Sequence, residues 1–168
     1  MINMNLYAQA LFEVLEDPLL VYDELKILKE VLKDTTVMNT MKRSYVDEST
    51  LDPLWQTLNF QAETIRCLKI LHNDQRMIDF DRFFDAYVLQ CTKAGLLSCA
   101  QVKSAKALSH EEILELQSVL KKSYPGRIEI QYEVDPSLIK GLAIRINNDV
   151  IDTSIKHKLK QIYNQGGQ

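Results

Sequence analysis

Residues 124–163 read YPGRIEIQYEVDPSLIKGLAIRINNDVIDTSIKHKLKQIY, and this stretch decides the fold. Tyr124-Pro125-Gly126 opens it as a turn. Ile128, Ile130, Tyr132 and Val134 then alternate with Glu129, Gln131 and Glu133, the pattern of a strand with one apolar and one polar face. Asp135-Pro136-Ser137 stops that strand, because proline cannot donate to a ladder. Leu142, Ile144 and Ile146 alternate with Ala143 and Arg145 and predict a second strand. Asn147-Asn148-Asp149 tolerates left-handed backbone, so a tight hairpin follows, and Val150-Ile151 returns as a third short strand. Asp152, Thr153 or Ser154 can cap a helix on which Ile155, Leu159 and Ile162 fall at i, i+4 and i+7. The expected product is a small sheet closed by a terminal helix.

The first hundred residues repeat instead with helical spacing. Asn5 to Glu16 reads as a helix in which only Gln9, Glu13 and Glu16 make a polar stripe at i, i+4 and i+7. The rest is apolar: Leu6, Tyr7, Ala8, Ala10, Leu11, Phe12, Val14 and Leu15. Such a helix is either fully buried or holds a core on one side and a partner on the other. Asp17-Pro18 supplies an N-cap and a first-turn proline for a second helix to about Lys33, with Tyr22, Leu25, Leu28 and Leu32 on one face. Lys26, Lys29, Glu30 and Lys33 read as its solvated side. A third helix, apolar at Val37, Met38 and Met41, runs to about Tyr45, and a fourth spans Leu51 to Leu58 with Trp55 on its apolar side. A fifth spans Phe60 to Asn73 with Ile65, Leu68 and Leu71 as its stripe. A sixth begins at Arg76 and carries Phe80, Phe84, Tyr87, Cys91 and Ala94 in one long row until Gly95 stops it. The expected fold class is therefore α+β: a six-helix bundle over 1–98, then a small α/β domain over 99–168, with the boundary near Leu96 to Gln101.

Charge and composition narrow the function. At 168 residues, 46% hydrophobic and 26% charged, the chain has an ordinary globular composition, enough for one domain or two small ones. Residues 1–100 hold 10 Lys/Arg against 15 Asp/Glu, a balance of −5, and residues 101–168 hold 10 against 8, a balance of +2. The two parts therefore suit different partners, and a net charge of −3 does not suit nucleic acid. Cys67, Cys91 and Cys99 form no CxxC pair and read as reduced, buried thiols. No apolar run approaches the roughly 20 residues of a membrane span, and with no basic stretch ahead of an apolar one at the start, secretion is not expected.

The same deciding stretch carries a family resemblance. Val134-Asp135-Pro136-Ser137-Leu138 with Gly141, then Arg145 between Ile144 and Ile146, then Asp152 and Ser154 at the start of the last helix, resembles the C-terminal signature of the delta subunit of F-type ATP synthases. The mitochondrial equivalent is the oligomycin-sensitivity-conferring protein. Lys140 and Thr153 stand where that family usually has glycine. Val102-Lys103-Ser104-Ala105 is similar to a family strand, Ser109-His110-Glu111-Glu112 is a capping box, and Ile113, Leu116 and Leu120 are the buried face of the helix it starts. Tyr7-Ala8-Gln9-Ala10-Leu11-Phe12 resembles the family's opening helix.

What the resemblance implies is a connector rather than an enzyme. The helical domain would sit on the catalytic α/β head and hold the N-terminal segment of the alpha subunit through Tyr7, Ala8, Leu11, Phe12 and Leu15, with Ile65 and Leu68 of the fifth helix as groove walls. The second domain would hold the C-terminal region of the b subunit through Ile155, Lys156, Lys158, Leu159, Lys160 and Ile162. The complex would lie on the cytoplasmic face of a bacterial plasma membrane, with no direct membrane insertion and no nucleic acid. The residues themselves agree: there is no phosphate-binding glycine loop, and His72, His110 and His157 are far apart. No cofactor, metal or catalytic residue is expected; Asp81 and Asp85, four apart on one helix, read as a solvated face rather than a metal pair. The rival reading is a helical RNA-binding or antitermination module with an appended α/β domain, but such a bundle should carry a basic face.

Overall fold

The computed structural model describes residues 3–41, 53, 57–138, 141–147 and 149–152. Contacts divide the chain into two compact units, Met1–Lys93 and Ala94–Gln168.

The first unit is helical: α1 (Met4–Glu13), α2 (Pro18–Val31), α3 (Thr35–Met41), α4 (Ala62–Asn73), a 3₁₀ turn (Met77–Asp79) and α5 (Phe80–Lys93). Short polar side chains start the first three. Asn3 accepts from the Asn5 N–H, Asp17 from the Leu19 and Leu20 N–H groups, and Asp34 from those of Thr36 and Val37. The Thr36 N–H in particular holds the Asp34 carboxyl below its ordinary range. Helix α1 ends at Glu13, short of the Glu16 expected. The next helix needs Asp17 in a non-helical cap conformation before Pro18, which excludes a continuous helix across the junction. Leu15 and Glu16 thus lie in the connection. Pro53, Thr57 and Leu58 of the expected fourth helix are helical, while Leu51 and Trp55 lie outside the described residues.

Helix α5 is the spine of this unit. Phe80, Phe83, Tyr87 and Cys91 are buried along it, and it packs against α1 and α2. Phe12 meets Tyr87 edge-on at 6.1 Å, and Tyr22 stacks on Phe84 at 5.8 Å. The Tyr87 hydroxyl donates to the Pro18 carbonyl at 2.9 Å, and burial pushes its pKa well above the usual value. Ala94, expected at the end of the buried row, is exposed, because the helix stops at Lys93 and Gly95 turns with φ +71°.

Two charged residues behave differently from their sequence reading. Lys29 is not simply solvated: its Nζ lies 3.4 Å from Asp81 and 3.8 Å from Asp85, and 4.6 Å from the Phe84 ring centroid, tying α2 to α5. Glu24 is only 7% exposed. Its carboxylate accepts the Gln61 N–H at 2.7 Å and the Thr64 hydroxyl at 2.5 Å, so a residue of α2 caps the start of α4. This is also why α4 begins at Ala62 rather than Phe60.

The second unit is a four-stranded mixed sheet with one described helix: β1 (Leu97–Ser104), α6 (His110–Ser123), β2 (Arg127–Val134), β3 (Leu142–Ile146) and β4 (Asp149–Asp152), in the order β2-β1-β3-β4. Strand β1 is central, parallel to β2 through the α6 crossover and antiparallel to β3. It begins at Leu97, five residues before the expected Val102; Ser98, Cys99 and Ala100 are small and carry no apolar alternation to announce a strand. Ile146 pairs with Asp149, so β3 and β4 are joined by residues 147–148, with Asn147 at φ +51° as a tight hairpin requires. Strand β2 is an edge, so Ile128, Ile130 and Tyr132 are half-buried, and Val134, at the sheet's end, is exposed.

Ala100, Val102, Ile144 and Ile146 of the sheet pack with Leu120 of α6 as the core of this unit. The capping box is present: Ser109 Oγ accepts the Glu112 N–H at 3.2 Å, and the Ser109 N–H donates to Glu112 Oε2 at 2.7 Å. That N–H lowers the Glu112 pKa. The cap's stabilisation is therefore complete above the ordinary carboxylate range and is lost as pH falls through the lowered value. Urea midpoints measured from neutral pH down to acid should show this loss in the parent and none from this source in Glu112→Gln.

Candidate functional site

Helix α1 carries the first candidate surface. Met4, Ala8 and Leu11 are buried on one face. Tyr7 and Phe12 flank them, half-buried. The Tyr7 hydroxyl donates to Asp74, which follows α4, and that bond raises the Tyr7 pKa. The solvent side consists of two parallel rows. Asn5, Gln9 and Glu13 form the polar one. Leu6, Ala10 and Val14 form the other, with Leu6 65% and Val14 64% exposed. On α4, Leu68 is buried, Ile65 half-buried and Ile70 exposed.

The seven residues expected to form the groove thus separate. Ala8, Leu11 and Leu68 are core and present no contact surface; Tyr7, Phe12, Leu15 and Ile65 are half-exposed. Helix α1 also packs chiefly on α5, with a smaller contact to α4. The row the sequence reading passed over is Leu6, Ala10 and Val14. The signal was present: Asn5, Gln9 and Glu13 at i, i+4 and i+8 mark the solvent side, and Leu6, Ala10 and Val14 are each the next residue along.

The signature residues around Asp135 build a turn. The Asp135 carboxylate accepts the Ser137 N–H at 2.9 Å, its own N–H donates to Ser104 O at 2.8 Å, and Leu138 is buried beyond it. Gly141 takes φ +98°, Arg145 is exposed on β3, and Asp152 ends β4. Lys140, Thr153 and Ser154 lie outside the described residues, as do Ile155, Lys156, Lys158, Leu159, Lys160 and Ile162.

Among the described residues, no group of three or more His, Cys, Asp or Glu is placed to hold a metal ion, and no helix is long and apolar enough to cross a membrane. Cys67 and Cys91 are buried and Cys99 half-buried; burial pushes the Cys67 thiol up to about 12, so it is a poor nucleophile.

Comparison with known proteins places these features together. The profile of the family described as ATP synthase delta (OSCP) subunit matches residues 4–165. ATP synthase subunit delta of Pelagibacter ubique is 36% identical over 99 residues, 58% of this chain and 53% of that protein. The chloroplastic delta subunit of Galdieria sulphuraria is 28% identical over 168 residues, covering 93% of each chain. That of Desulforudis audaxviator is 29% identical over 170 residues, 93% of this chain and 90% of the relative. In fold, a chain of the cryo-EM structure of the Toxoplasma gondii mitochondrial ATP synthase hexamer superposes with a TM-score of 0.67 over 98% of this chain and 97% of that one, at 22% identity.

Proposed function

The chain belongs to the ATP synthase delta (OSCP) subunit family, and from that membership we propose that it links the catalytic head to the peripheral stalk and keeps the head from turning with the rotor. The observation that carries this reading is the match of one subunit family across both units. The family is structural, not catalytic, and torque resistance calls for firm interfaces on rigid elements rather than for an active site. Recovering alpha, beta and b subunits with the protein purified from native membranes would support the reading; recovering none would overturn it. In a bacterium the complex would lie on the cytoplasmic face of the plasma membrane.

The first unit, in this reading, meets the N-terminal segment of the alpha subunit. Leu6, Ala10 and Val14 supply the apolar contact, with Tyr7, Phe12, Leu15 and Ile65 at its margins. An amphipathic helix recognises such a row through apolar anchors. Leu6→Asp or Val14→Asp should weaken binding to an alpha N-terminal peptide roughly 30-fold, about 2 kcal/mol, with little change in melting temperature. Ala8→Asp should instead unfold the unit. Unchanged affinity in both exposed-site variants would move the contact elsewhere on the bundle.

The second unit takes the b subunit, with Lys156, Lys158 and Lys160 as its basic side. Reversing the three to glutamate should slow association with a b C-terminal fragment and reduce its salt dependence, with little effect on folding. Identical rates at low salt would remove the lysines from the interface.

A further inference from the structure

A hydrogen bond ties α1 to the end of α4. The Tyr7 hydroxyl donates to Asp74 Oδ2 at 2.5 Å, across 67 positions of chain. Asp74 is the C-cap of α4, and its own N–H donates to Ile70 O at 2.9 Å. Beyond it the chain turns back through Gln75, at φ +57°. The Gln75 N–H donates to His72 O at 2.9 Å and the Arg76 N–H to Leu71 O at 2.7 Å, which closes α4 in a Schellman turn. These bonds run from backbone to backbone and fix where Asp74 stands without using its carboxylate. An acid suits the position poorly, because the C-terminal end of a helix carries partial negative charge. The carboxylate reaches across to α1 instead.

The bond matters because α1 packs chiefly on α5 and makes only a smaller contact with α4. Phe12 holds the later part of α1 to α5 through Tyr87. Tyr7 holds the earlier part to α4. It follows Leu6 directly and precedes Ala10 by one turn. Its placement therefore sets how the exposed row of Leu6, Ala10 and Val14 stands toward α4 and the half-buried Ile65.

We infer that Tyr7 and Asp74 are positioning residues for the apolar contact with the alpha N-terminal segment: their bond fixes α1 against α4 before the partner arrives. The inference rests on that reading of the first unit and adds to it the pair that keeps the surface in shape. Without the bond, α1 and α4 take up other spacings, and only the fraction with the competent spacing binds. The loss then falls on association, whereas loss of a direct contact falls mostly on dissociation.

Two measurements on the full chain test it. In the first, the tyrosine rings are carbon-labelled and the Tyr7 signal, identified by its loss in Tyr7→Phe, is titrated by NMR. The bond to Asp74 does most to raise the Tyr7 pKa; burial, the Asp74 charge and Cys67 add to it, and Arg76 opposes. Asp74→Asn should therefore let Tyr7 ionise at lower pH than in the parent. In the second, association of an alpha N-terminal peptide is followed by stopped flow at neutral pH. Tyr7→Phe keeps the ring and removes only the hydroxyl. It and Asp74→Asn should each slow association about fivefold and leave dissociation unchanged. The double variant should be no slower than either single one. A Tyr7 titration indifferent to Asp74→Asn, parent-like association in both variants, a loss confined to dissociation, or additive losses would each overturn the inference alone. A parent that binds no peptide, while its Tyr7 titration still responds to Asp74→Asn, would overturn the reading of the first unit and the inference with it.

Discussion

Gly126→Ala should destabilise the second unit by about 4 kcal/mol, near the upper end of single-residue effects. Two costs combine. Gly126 has φ +75°, a conformation that costs an alanine about 1 kcal/mol or more. The larger cost is contact: a Cβ here would stand 2.3 Å from the Leu96 carbonyl oxygen, 2.4 Å from its carbon and 2.5 Å from Gly95 O. These are backbone atoms and cannot rotate away. Leu96 O accepts the Arg127 N–H at 2.9 Å, and the Ser98 hydroxyl holds Pro125 O at 2.9 Å, so the start of β1 and the start of β2 are tied at this point. Gly95→Ala is the control. It has a similar φ of +71°, but its Cβ would meet only Pro125 at 3.9 Å, so it should show the strain alone. Denaturant unfolding followed by circular dichroism compares the two. Equal losses would mean that the close approach to Leu96 plays no part.

Glu24→Ala should cost the first unit about 3 kcal/mol, since hydrogen bonds to a charged group contribute roughly 1.5–3 kcal/mol each and their loss strands buried donors. Thr64 is fully buried and gives its hydroxyl to Glu24, and the Gln61 N–H has the same carboxylate as its cap. Nothing on α4 itself replaces that cap, because Gln61 makes no side-chain capping bond. Glu24→Gln keeps one acceptor and should lose about half as much. A cycle with Thr64→Val isolates the pair: coupling of roughly 1 kcal/mol or more is expected for groups in direct contact. Additive losses would show that Glu24 acts on α4 by some other route.

Much of the local structure was legible in the residues. The alternation of Ile128 to Val134, the Asn-rich hairpin after Ile146 and the Ser109–Glu112 capping box each depend on neighbours within a few positions, and each appears where its pattern places it. The candidate surface was legible only in part. Its helix was found, but three of the seven chosen side chains point into the core. The row of Leu6, Ala10 and Val14 runs beside Asn5, Gln9 and Glu13, but which of the flanking apolar residues stay exposed was decided by the packing of α1 on α5.

Among the described residues, the sequence by itself determined the kinds of element, their order and the turn around Asp135, because periodicity, caps and turn chemistry are short-range. Only the tertiary structure decided which apolar residues of α1 face the core, the place of β1 at the centre of the sheet, the capping of α4 by Glu24 and the closeness of Gly126 to Leu96. Each of these joins residues that are distant in the chain, from Gln61 bonding 37 positions back to the Ser98 hydroxyl bonding 27 positions ahead. No local pattern encodes such pairings: they are chosen when whole elements compete to bury their apolar faces against one another.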